Sequence, residues 1–506
     1  MAAEAGDAAM TAGDIVTDNA RRFPDVIAYR LGDRSITHAI LRERAVRLVS
    51  AMAAAGVRRQ DRIAMLSRNS IEFGEVMAAC QLSGIILATV NFRLSPNEVR
   101  DVLNRVRPSM VFCADEFAPM IVELAPDAMV VCMADFDEFV SSGNDELPFE
   151  AQPDDIACLI FTSGTTGASK CCILGQREHR RVAFTMNAEM RTGSTDRGLI
   201  NMPMFHIGAM AIIGGMHARG GTVVLQQQFD PDEAVRLISH ERITLVHLAP
   251  VMLRAVLDAT TDVRSLETLR TVIYAAAPMT PNILERALSM LPSVGFLNLY
   301  GQTEAIVSGL PRELHAVDAP DADETLRSVG FPFPGIRVRI VDDDGHDVAP
   351  GEPGEIVVQS DSLFRGYWDD HAATQAILRD GWCHTGDVGR FDDRGLLYLV
   401  DRKKDVIITG GENVYSPEVE DALSRLDDVA ACAVVGAPDE KWGETVCAVV
   451  VPKPGASPTL EAVQEFVRSR LAGYKIPRRL VVVDELPVLP SGKIDKKTLR
   501  ADLARG

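Results

Sequence analysis

The chain has 506 residues, of which 47% are hydrophobic and 24% are charged, and its formal net charge is −19. This length suffices for about three domain-sized units with full hydrophobic cores, and the composition is that of an ordinary soluble globular protein. The negative charge disfavours a general surface for nucleic acid or anionic membranes, so an anionic ligand must bind where the charge is locally positive.

The N-terminal residues, the apolar runs and the cysteines indicate where the protein is located. Residues 1–12 are small and acidic and lack the basic start and apolar core of a secretory signal, so we interpret them as a disordered leader. No apolar run approaches the length of a membrane span. The nine cysteines are scattered without a CxxC pair, which disfavours a disulfide framework or a zinc site and favours a reduced, cytoplasmic compartment.

Strand-like and helix-like patterns alternate through the first two thirds of the chain. Buried strands are predicted at Arg62–Leu66, Ile85–Val90, Met110–Cys113, Thr222–Leu225, Thr244–Leu248 and Thr271–Tyr274. Helices are predicted at Ser95–Val106, Pro231–His240, Met252–Leu257 and Pro281–Leu291. The alternation predicts the α/β class, with layers of mostly parallel sheets in a large N-terminal domain.

The pattern changes twice in the last third. From Gly335, the runs IRVRIVDDDG and GEIVVQS predict short strands around turns, and so a small β subdomain. The charged stretch RKKD after Asp401 precedes a compact α+β unit of about a hundred residues, which is a normal domain size. We therefore predict a domain boundary at Asp401–Lys404, with an N-terminal domain over 1–401 and a small C-terminal domain over 402–506.

The stretch FTSGTTGASK, Phe161–Lys170, combines hydroxyls, glycines and a terminal lysine after an apolar run. Glycines let backbone N–H groups approach an anion, hydroxyls add donors, and lysine adds a positive charge. It is not a Walker A loop, because Ser169 precedes Lys170 and no Ser or Thr follows it. We interpret it as a phosphate-binding loop at the end of a buried strand; a solvated Ser/Thr/Gly loop is the alternative.

Two further clusters carry carboxylates. LNLYGQTE, Leu297–Glu304, ends an apolar run with an amide, a hydroxyl and a carboxylate, which suits Mg²⁺ beside a polyphosphate, with Tyr300 stacked on an adenine. In GWCHTGD, Asp387 is placed to accept hydrogen bonds from a ribose diol, and Arg402 to meet the ribose or a phosphate. The alternatives are a strand-end turn with a surface glutamate and a turn Asp that caps its own backbone.

The last cluster, LPSGKIDKKTLR, lies almost at the end of the chain. Residues 471–506 contain eight Lys or Arg and four Asp or Glu, a net of +4 within an acidic protein. Ser491 and Gly492 form a flexible turn that can deliver the ammonium of Lys493 to a distant site. A solvated lysine-rich tail is the alternative.

Together these stretches resemble the adenylate-forming superfamily of acyl- and aryl-CoA synthetases, luciferases and peptide-synthetase adenylation domains. The resemblance covers essentially the whole chain. Its motifs follow in the family's order: Thr162–Lys170, MPMFH at Met202–His206, YAAAPM at Tyr274–Met279, YGQTE at Tyr300–Glu304, GWCHTGD at Gly381–Asp387, DRKKDVIITGGENVYSPEVE at Asp401–Glu420 and SGKIDKK at Ser491–Lys497. Unrelated surface loops would not occur in this order. The resemblance therefore disfavours the alternative interpretations of these stretches as solvated loops, turns and a lysine-rich tail.

The resemblance implies that a carboxylate attacks the α-phosphate of Mg·ATP, giving an acyl-adenylate and pyrophosphate, and that a thiol then displaces AMP. It implies catalytic roles for Lys493, Thr303, Glu304 and His206, with Glu304 as the Mg²⁺ ligand and Lys493 between the substrate carboxylate and the α-phosphate. His206 gates the entry of the carboxylate or is simply a satisfied, partly buried histidine. The implied ATP-binding residues are Thr162, Ser163, Gly164, Thr165, Thr166, Gly167, Lys170, Ala277, Pro278, Tyr300, Gly301, Gln302, Thr303, Asp387, Arg402 and Lys493.

The resemblance also implies that the small domain rotates about a hinge at Lys404 between the two half-reactions. The implied CoA-binding residues are Arg93, Gly410, Gly411, Trp442, Tyr474 and Arg478. The implied acyl pocket comprises His206, Ile207, Met210, Tyr274, Ala275, Ala276, Leu299 and Gly301. Between Asn201 and Gly221 there is no Asp or Glu to pair with an amino-acid ammonium, which favours a fatty or aryl acid.

The chain departs from the family pattern at three places. Ser169-Lys170-Cys171 replaces the usual Pro-Lys-Gly, Gly175-Gln176 replaces Thr-His, and Ala275-Ala276-Ala277-Pro278 replaces Gly-Gly-Ala-Pro. We expect nucleotide binding to survive, with Cys171 adding bulk at the loop and the alanines narrowing the floor of the acyl or adenine pocket.

The leading hypothesis is therefore a cytoplasmic, ATP- and Mg²⁺-dependent acyl-CoA or aryl-CoA ligase. Its partners would be a small carboxylic acid, ATP and CoA, with no nucleic acid and no integral membrane segment; a homodimer is possible. The alternatives are an acyl-AMP ligase that loads a carrier protein and a non-catalytic homologue that binds nucleotide or acyl ligands.

Overall fold

The structure is a computed structural model and describes residues 10–162, 169–277, 279–409, 412–439, 441–488 and 494–505. The chain divides into two compact units: the first unit is Met1–Arg337 with Val358–Cys383, and the second unit is Val338–Val357 with His384–Gly506. The predicted domain boundary at Asp401–Lys404 and the predicted hinge at Lys404 stay predictions. No helix of the described residues is long and apolar enough to cross a membrane.

The strands of the described residues are, in chain order, β1 Ile27–Leu31, β2 Arg34–Thr37, β3 Arg62–Leu66, β4 Ile86–Thr89, β5 Met110–Cys113, β6 Met129–Cys132, β7 Ile156–Thr162, β8 Lys170–Gly175, β9 Arg197–Ile200, β10 Thr222–Leu225, β11 Leu245–Leu248, β12 Thr271–Ala275, β13 Gly295–Gln302, β14 Ala305–Leu310, β15 Phe331–Pro332, β16 Arg337–Val341, β17 Gly354–Gln359, β18 Leu378–Arg379, β19 Trp382–Phe391, β20 Leu397–Arg402, β21 Ile407–Thr409, β22 Glu412–Val414, β23 Val429–Asp439, β24 Gly443–Pro452 and β25 Arg479–Val482.

The helices of the same residues are α1 Gly13–Arg22, α2 His38–Ala54, α3 Ile71–Ser83, α4 Pro96–Val106, α5 Ala118–Leu124, α6 Phe136–Ser141, α7 Gln176–Met190, α8 Ile207–His217, α9 Pro231–His240, α10 Pro250–Ala259, α11 Pro281–Met290, α12 Ala322–Thr325, α13 His371–Ile377, α14 Ser416–Ser424, α15 Leu460–Arg468 and α16 Lys496–Arg505. The predicted α/β class is confirmed. Thr11 and Ala12, which the prediction assigned to the disordered leader, are buried before α1.

Two sheets organise the first unit. One has nine strands in the order β15-β14-β13-β12-β11-β9-β10-β1-β2, and the other has six in the order β6-β5-β3-β4-β7-β8. The strands inside each sheet run parallel, whereas β2, β8, β14 and β15 pair antiparallel at the edges. The predicted motifs follow the carboxyl ends of these strands, which is where open α/β sheets bind ligands.

The carboxyl ends of the two sheets meet through three short segments. Asn69, just after β3, donates to the Met202 carbonyl at 3.0 Å and accepts from the Met204 N–H at 2.8 Å. Thr89, at the end of β4, donates to the Phe205 carbonyl at 3.0 Å. These bonds fix the MPMFH segment, and so the start of α8, against the six-stranded sheet.

In the second unit, β21, β22, β23, β24 and β25 form a five-stranded sheet with β24 at its centre. Residues of α14 and α15 pack on it in a core that includes Val419, Leu423, Val446 and Val463. The sheet and helices match the predicted α+β unit. Thr409 ends β21, and the glycine pair that follows it in sequence, at 410–411, lies outside the described residues.

Of the described histidines of the first unit, four are buried and His315 is half-buried, and desolvation lowers the pKa of all five. The pKa falls from 6.5 to about 4 for His38, His179, His247 and His315, and to about 3 for His217. At a pH between the folded and unfolded pKa values, the unfolded chain binds more protons than the folded chain. The unfolding free energy therefore has its maximum contribution from these histidines above pH 6.5 and falls as the pH drops towards 4.

We expect His179→Leu to reduce this acid sensitivity. His179 is buried with its Nδ1 unbonded among the described residues, so its pKa shift comes from desolvation alone. At pH 5 a histidine with these two pKa values lowers the unfolding free energy by about 2 kcal/mol. Urea unfolding at pH 8 and pH 5 measures the effect: the variant should lose about 2 kcal/mol less than the native protein. Equal losses would contradict the assignment.

Candidate active site

The predicted phosphate loop lies in sequence between two strands that pair with each other. Strands β7 and β8 pair antiparallel, with Thr162 opposite Lys170, and the Thr162 hydroxyl donates to the Lys170 carbonyl at 3.5 Å. The pairing therefore brings the two described ends of the loop together at the carboxyl edge of the six-stranded sheet. The other predicted loop residues lie outside the described residues: Ser163, Gly164, Thr165, Thr166 and Gly167.

Two residues near this loop that differ from the family pattern, Cys171 and Gln176, have their side chains in the core. Cys171 is fully buried and packs beneath the six-stranded sheet. Gln176 is also fully buried, and its side-chain amide donates to the Cys80 carbonyl at 3.3 Å. Ser169 alone stays at the loop, where its carbonyl accepts from Arg105 Nη1 at 2.9 Å.

Glu304 lies in a tight hairpin turn. Gln302 pairs with Ala305 across β13 and β14, so Thr303 and Glu304 are the two turn residues. A side chain at Gly301 would approach the Ala305 carbonyl oxygen to 2.9 Å, which explains why this tight strand pairing needs glycine.

Glu304 is 7% exposed, and its carboxylate is held by a hydrogen-bond donor. The Tyr367 hydroxyl donates to Oε1 at 2.6 Å. Burial and the charge of Glu304 raise the pKa of both Tyr367 and Cys172. Both groups therefore stay protonated at neutral pH, and the Tyr367 hydroxyl is a donor to Glu304.

This arrangement fits Mg²⁺. The cation prefers oxygen ligands, keeps several waters, and is commonly held by one or two carboxylates together with substrate phosphates. Glu304 offers one such carboxylate, buried and oriented by Tyr367. The residues present therefore match the magnesium chemistry expected beside a triphosphate.

The predicted adenine and acyl residues lie on the ends of β12 and β13. Tyr300 is buried, and Leu299 is half-buried beside it. Tyr274 is buried in the hydrophobic core, and its hydroxyl lies 2.8 Å from His315 Nε2. Ala275 is half-buried, Ala276 and Ala277 are exposed, and Pro278 lies outside the described residues. Pocket roles for these residues stay predictions.

The other predicted acyl-pocket residues lie at the start of α8. His206 is the residue before the first turn of this helix and packs on Phe205, with ring centroids 4.4 Å apart. Ile207 is half-buried, and Met210 is buried. His206 therefore lies at the helix N-terminus, next to the contact between the two sheets. This position is consistent with a gating role and equally with a purely structural role.

Ala276 carries backbone strain. It has a φ of 75°, in the left-handed region that costs a residue with a Cβ about 1–2 kcal/mol. The family pattern has glycine here, so this chain retains the glycine conformation without the glycine. The strain lies at the end of β12, beside the predicted adenine and acyl contacts.

Ala276→Gly should stabilise the protein. The relief of strain exceeds the entropy that glycine adds to the unfolded chain, for a net gain of about 0.5–1 kcal/mol. Chemical denaturation measures it, with Ala275→Gly as the matched control. Ala275 is the last residue of β12 and is not among the residues with a positive φ, so glycine there should instead cost up to about 0.5–1 kcal/mol. A loss of stability in Ala276→Gly would contradict the strain.

In the second unit, Asp387 and Arg402 are partners. They lie opposite each other on β19 and β20, with Arg402 Nε 3.2 Å from Asp387 Oδ1. Asp387 is buried and Arg402 half-exposed, so the carboxylate is fixed and the guanidinium faces outward. The sequence placed Asp387 in a turn, but it lies in a strand; the two predicted ribose-side residues are nonetheless brought together.

Part of the predicted CoA set also clusters in the second unit. The Arg478 guanidinium lies over the Trp442 ring, 4.6 Å from its centroid, and Arg478 Nη1 donates to the Thr409 hydroxyl at 3.1 Å. Thr409 directly precedes Gly410 and Gly411, which lie outside the described residues. Tyr474 packs at the edge of the core of this unit. Lys404, the predicted hinge, follows β20.

Arg93 belongs to the first unit and lies after the carboxyl end of β4. Its guanidinium is 5.1 Å from the centroid of the Phe92 ring, and Arg68 lies at the same distance over that ring. Lys493 lies outside the described residues. The described α16 begins at Lys496, and its side chain bonds to Glu420 at 2.7 Å.

Two residues of the site were missed by the sequence reasoning. Tyr367 bonds to Glu304 from 63 residues away, and Arg105 bonds to Ser169 from 64 residues away. The aromatic and glycine-containing run FRGYW at Phe364–Trp368 was a signal for Tyr367. No local pattern singles out Arg105 on α4.

Comparisons with known proteins show similarity over most of the chain. Residues 16–368 match the family model for the AMP-binding enzyme, and residues 418–493 match that for the AMP-binding enzyme C-terminal domain. A feruloyl-CoA synthase of Amycolatopsis sp is 36% identical over 484 residues, covering 95% of this chain and 96% of the relative. The fatty acid–[acyl-carrier-protein] ligase ScoC of Streptomyces coeruleorubidus is 34% identical over 496 residues, covering 95% and 94%.

A solved structure is similar as well. It is the o-succinylbenzoate coenzyme A synthetase of Bacillus subtilis in complex with ATP and magnesium ion, at 29% identity and a TM-score of 0.85. The match covers 97% of this chain and 98% of that one. The similarity thus extends over both units of the chain.

Proposed function

The chain belongs to the AMP-binding enzyme family and is an acid–thiol ligase, and on that premise we propose that it activates a fatty or aryl carboxylic acid as an acyl-adenylate and transfers the acyl group to CoA. One observation carries the proposal. Tyr367 joins the phosphate-loop strand to the metal carboxylate, with Lys170 Nζ 4.7 Å from its ring centroid and Glu304 2.6 Å from its hydroxyl.

The first half-reaction needs charge stabilisation more than a strong base. A carboxylate is already a competent nucleophile once it is aligned, whereas the α-phosphate must place negative charge on oxygens that donors and cations hold. Lys170 and the loop supply charge and donors on the pyrophosphate side. Lys493 supplies a point charge between the two reacting groups. Mg²⁺, when bound to Glu304, neutralises part of the triphosphate charge.

The reaction has two steps, and in each step one bond forms and one bond breaks. A carboxylate oxygen forms a bond to the α-phosphorus, the bond to the β-phosphate oxygen breaks, and pyrophosphate leaves. The thiolate sulfur of CoA then attacks the acyl carbon, and AMP leaves with that carboxylate oxygen. Asp387 holds the ribose hydroxyls of the nucleotide through both steps, and Trp442 and Arg478 bind CoA.

The substrate class follows from the segment after β9. Asn201 to Gly221 contains no carboxylate, and α8 presents the half-buried Ile207 and the buried Met210. An amino-acid ammonium therefore finds no partner on this segment, whereas an alkyl chain or an aromatic ring does. The relation to a feruloyl-CoA synthase supports an aryl acid as one member of the class.

A second candidate function is the loading of an acyl group onto a carrier protein. The 34% identity to an acyl-carrier-protein ligase favours it. The pairing of Arg478 with Trp442 favours CoA, because a stacked guanidinium beside an aromatic ring suits a nucleotide phosphate and base.

Pyrophosphate release with ATP, across a panel of fatty, aryl and short-chain acids, tests the proposal with and without CoA. We expect adenylation by at least one fatty or aryl acid and formation of its CoA thioester. Release of pyrophosphate with acyl transfer only to a carrier protein would favour the second candidate. ATP binding without turnover for every acid would favour a non-catalytic homologue.

A further inference from the structure

The segment Phe364–Trp368 links the two parts of the candidate ATP site. Its backbone bonds to β8: the Ile173 N–H donates to the Gly366 carbonyl and the Arg365 N–H to the Ile173 carbonyl, both at 2.9 Å. The Trp368 N–H donates to the Cys171 carbonyl at 2.8 Å. On its other side the Phe364 N–H donates to the Glu304 carbonyl at 2.9 Å. The segment therefore fixes the distance between the phosphate-loop strand and the turn that carries Glu304.

Tyr367 completes this link with a side chain. It is 4% exposed, and its ring packs edge-on against Phe364, with centroids 5.0 Å apart. Packing fixes the position of its hydroxyl, which donates to Glu304 Oε1. An ionised carboxylate has about four acceptor sites, so one bond from Tyr367 leaves Oε2 and part of Oε1 for a cation.

We propose that Tyr367 is a positioning residue that orients Glu304 for Mg·ATP. The proposal rests on the proposed function, because it takes Glu304 as the metal ligand. A carboxylate that must find its orientation anew for each binding event binds the metal more weakly, and removal of such outer partners commonly costs about 10- to 100-fold in metal affinity.

Tyr367→Phe removes the hydroxyl and keeps the ring packing. We expect Mg·ATP to bind about 10-fold more weakly to this variant, while ATP in the presence of EDTA binds with unchanged affinity. Isothermal titration calorimetry with Mg·ATP and with ATP plus EDTA measures both without turnover. Adenylation should show a raised Mg²⁺ requirement, whereas thioester formation from supplied acyl-AMP, which does not use the triphosphate, should be unchanged.

Tyr398→Phe is the matched control. Tyr398 is 6% exposed, and its hydroxyl donates to the Asp392 carboxylate at 3.2 Å in the second unit. The control therefore loses a part-buried hydrogen bond from a tyrosine to a carboxylate without touching Glu304. It should keep the native affinity for Mg·ATP.

The second variant is Phe364→Leu, which keeps the Tyr367 hydroxyl but removes the ring that packs against Tyr367. This variant also tests the proposal if Tyr367→Phe does not fold. We expect a loss of Mg·ATP affinity of about 3-fold or more, with ATP plus EDTA again unchanged. Native affinity for Mg·ATP in a folded variant, or an equal loss with and without the metal, would overturn the positioning role. A native protein that adenylates no acid would instead overturn the proposed function.

Discussion

Lys493→Ala is expected to abolish acyl-adenylate formation while leaving thioester formation from supplied acyl-AMP largely intact. The lysine supplies a positive charge between the attacking carboxylate and the α-phosphate, and cations in that position contribute about 1,000-fold or more to phosphoryl-type transfer. The second half-reaction forms no new charge on phosphorus, so it does not need that cation. Single-turnover measurements of pyrophosphate release and of CoA thioester formation separate the two steps.

The control for this variant is Lys497→Ala. Lys497 is an exposed lysine in the same basic terminal segment, and its removal changes the net charge by the same amount. It should leave both half-reactions within about 2-fold of the native rates. If Lys493→Ala lowered both half-reactions equally, the assignment of one lysine to one half-reaction would be wrong.

Glu304→Gln is expected to lower adenylation by about 100- to 1,000-fold, because a magnesium ion contributes several kcal/mol of charge stabilisation at a phosphate. Gln keeps the size of the side chain and can still accept from Tyr367, so the loss should come from the missing charge. Calorimetric titration should show weaker binding of Mg·ATP and little change for ATP with EDTA.

Glu75→Gln is the matched control for this second prediction. Glu75 is a buried glutamate of the same unit, paired with Arg44 rather than with the candidate site. Its replacement should lower the unfolding free energy without changing the dependence of adenylation on Mg²⁺. Native Mg·ATP affinity in Glu304→Gln would remove Glu304 from the metal site.

Local patterns were sufficient for much of the fold. The strands at Arg62–Leu66, Met110–Cys113 and Thr222–Leu225 have the predicted bounds, as does the helix Pro231–His240. Each is a short apolar run or an amphipathic stretch with clear end signals; Asp230, for example, caps the helix that Pro231 begins. Such signals depend on neighbouring residues alone.

The parts that the sequence missed depend on contacts between distant residues. Asp387 was expected in a turn, but pairing with β20 extends its strand and sets it opposite Arg402. Tyr367 lies next to Glu304 only because its segment packs beside β8. Ala276 directly follows β12 and has a positive φ. A run of three alanines in the sequence gives no signal of that backbone conformation.

The transfer of oxygen from the acid to AMP tests the central claim most directly. With the carboxylic acid labelled with ¹⁸O in both carboxylate oxygens, turnover with ATP and CoA should give AMP that carries one labelled oxygen, unlabelled pyrophosphate and the acyl-CoA. That result follows only if the carboxylate attacks the α-phosphorus and AMP leaves with its oxygen. Label in inorganic phosphate, or unlabelled AMP alongside the thioester, would contradict an acyl-adenylate intermediate.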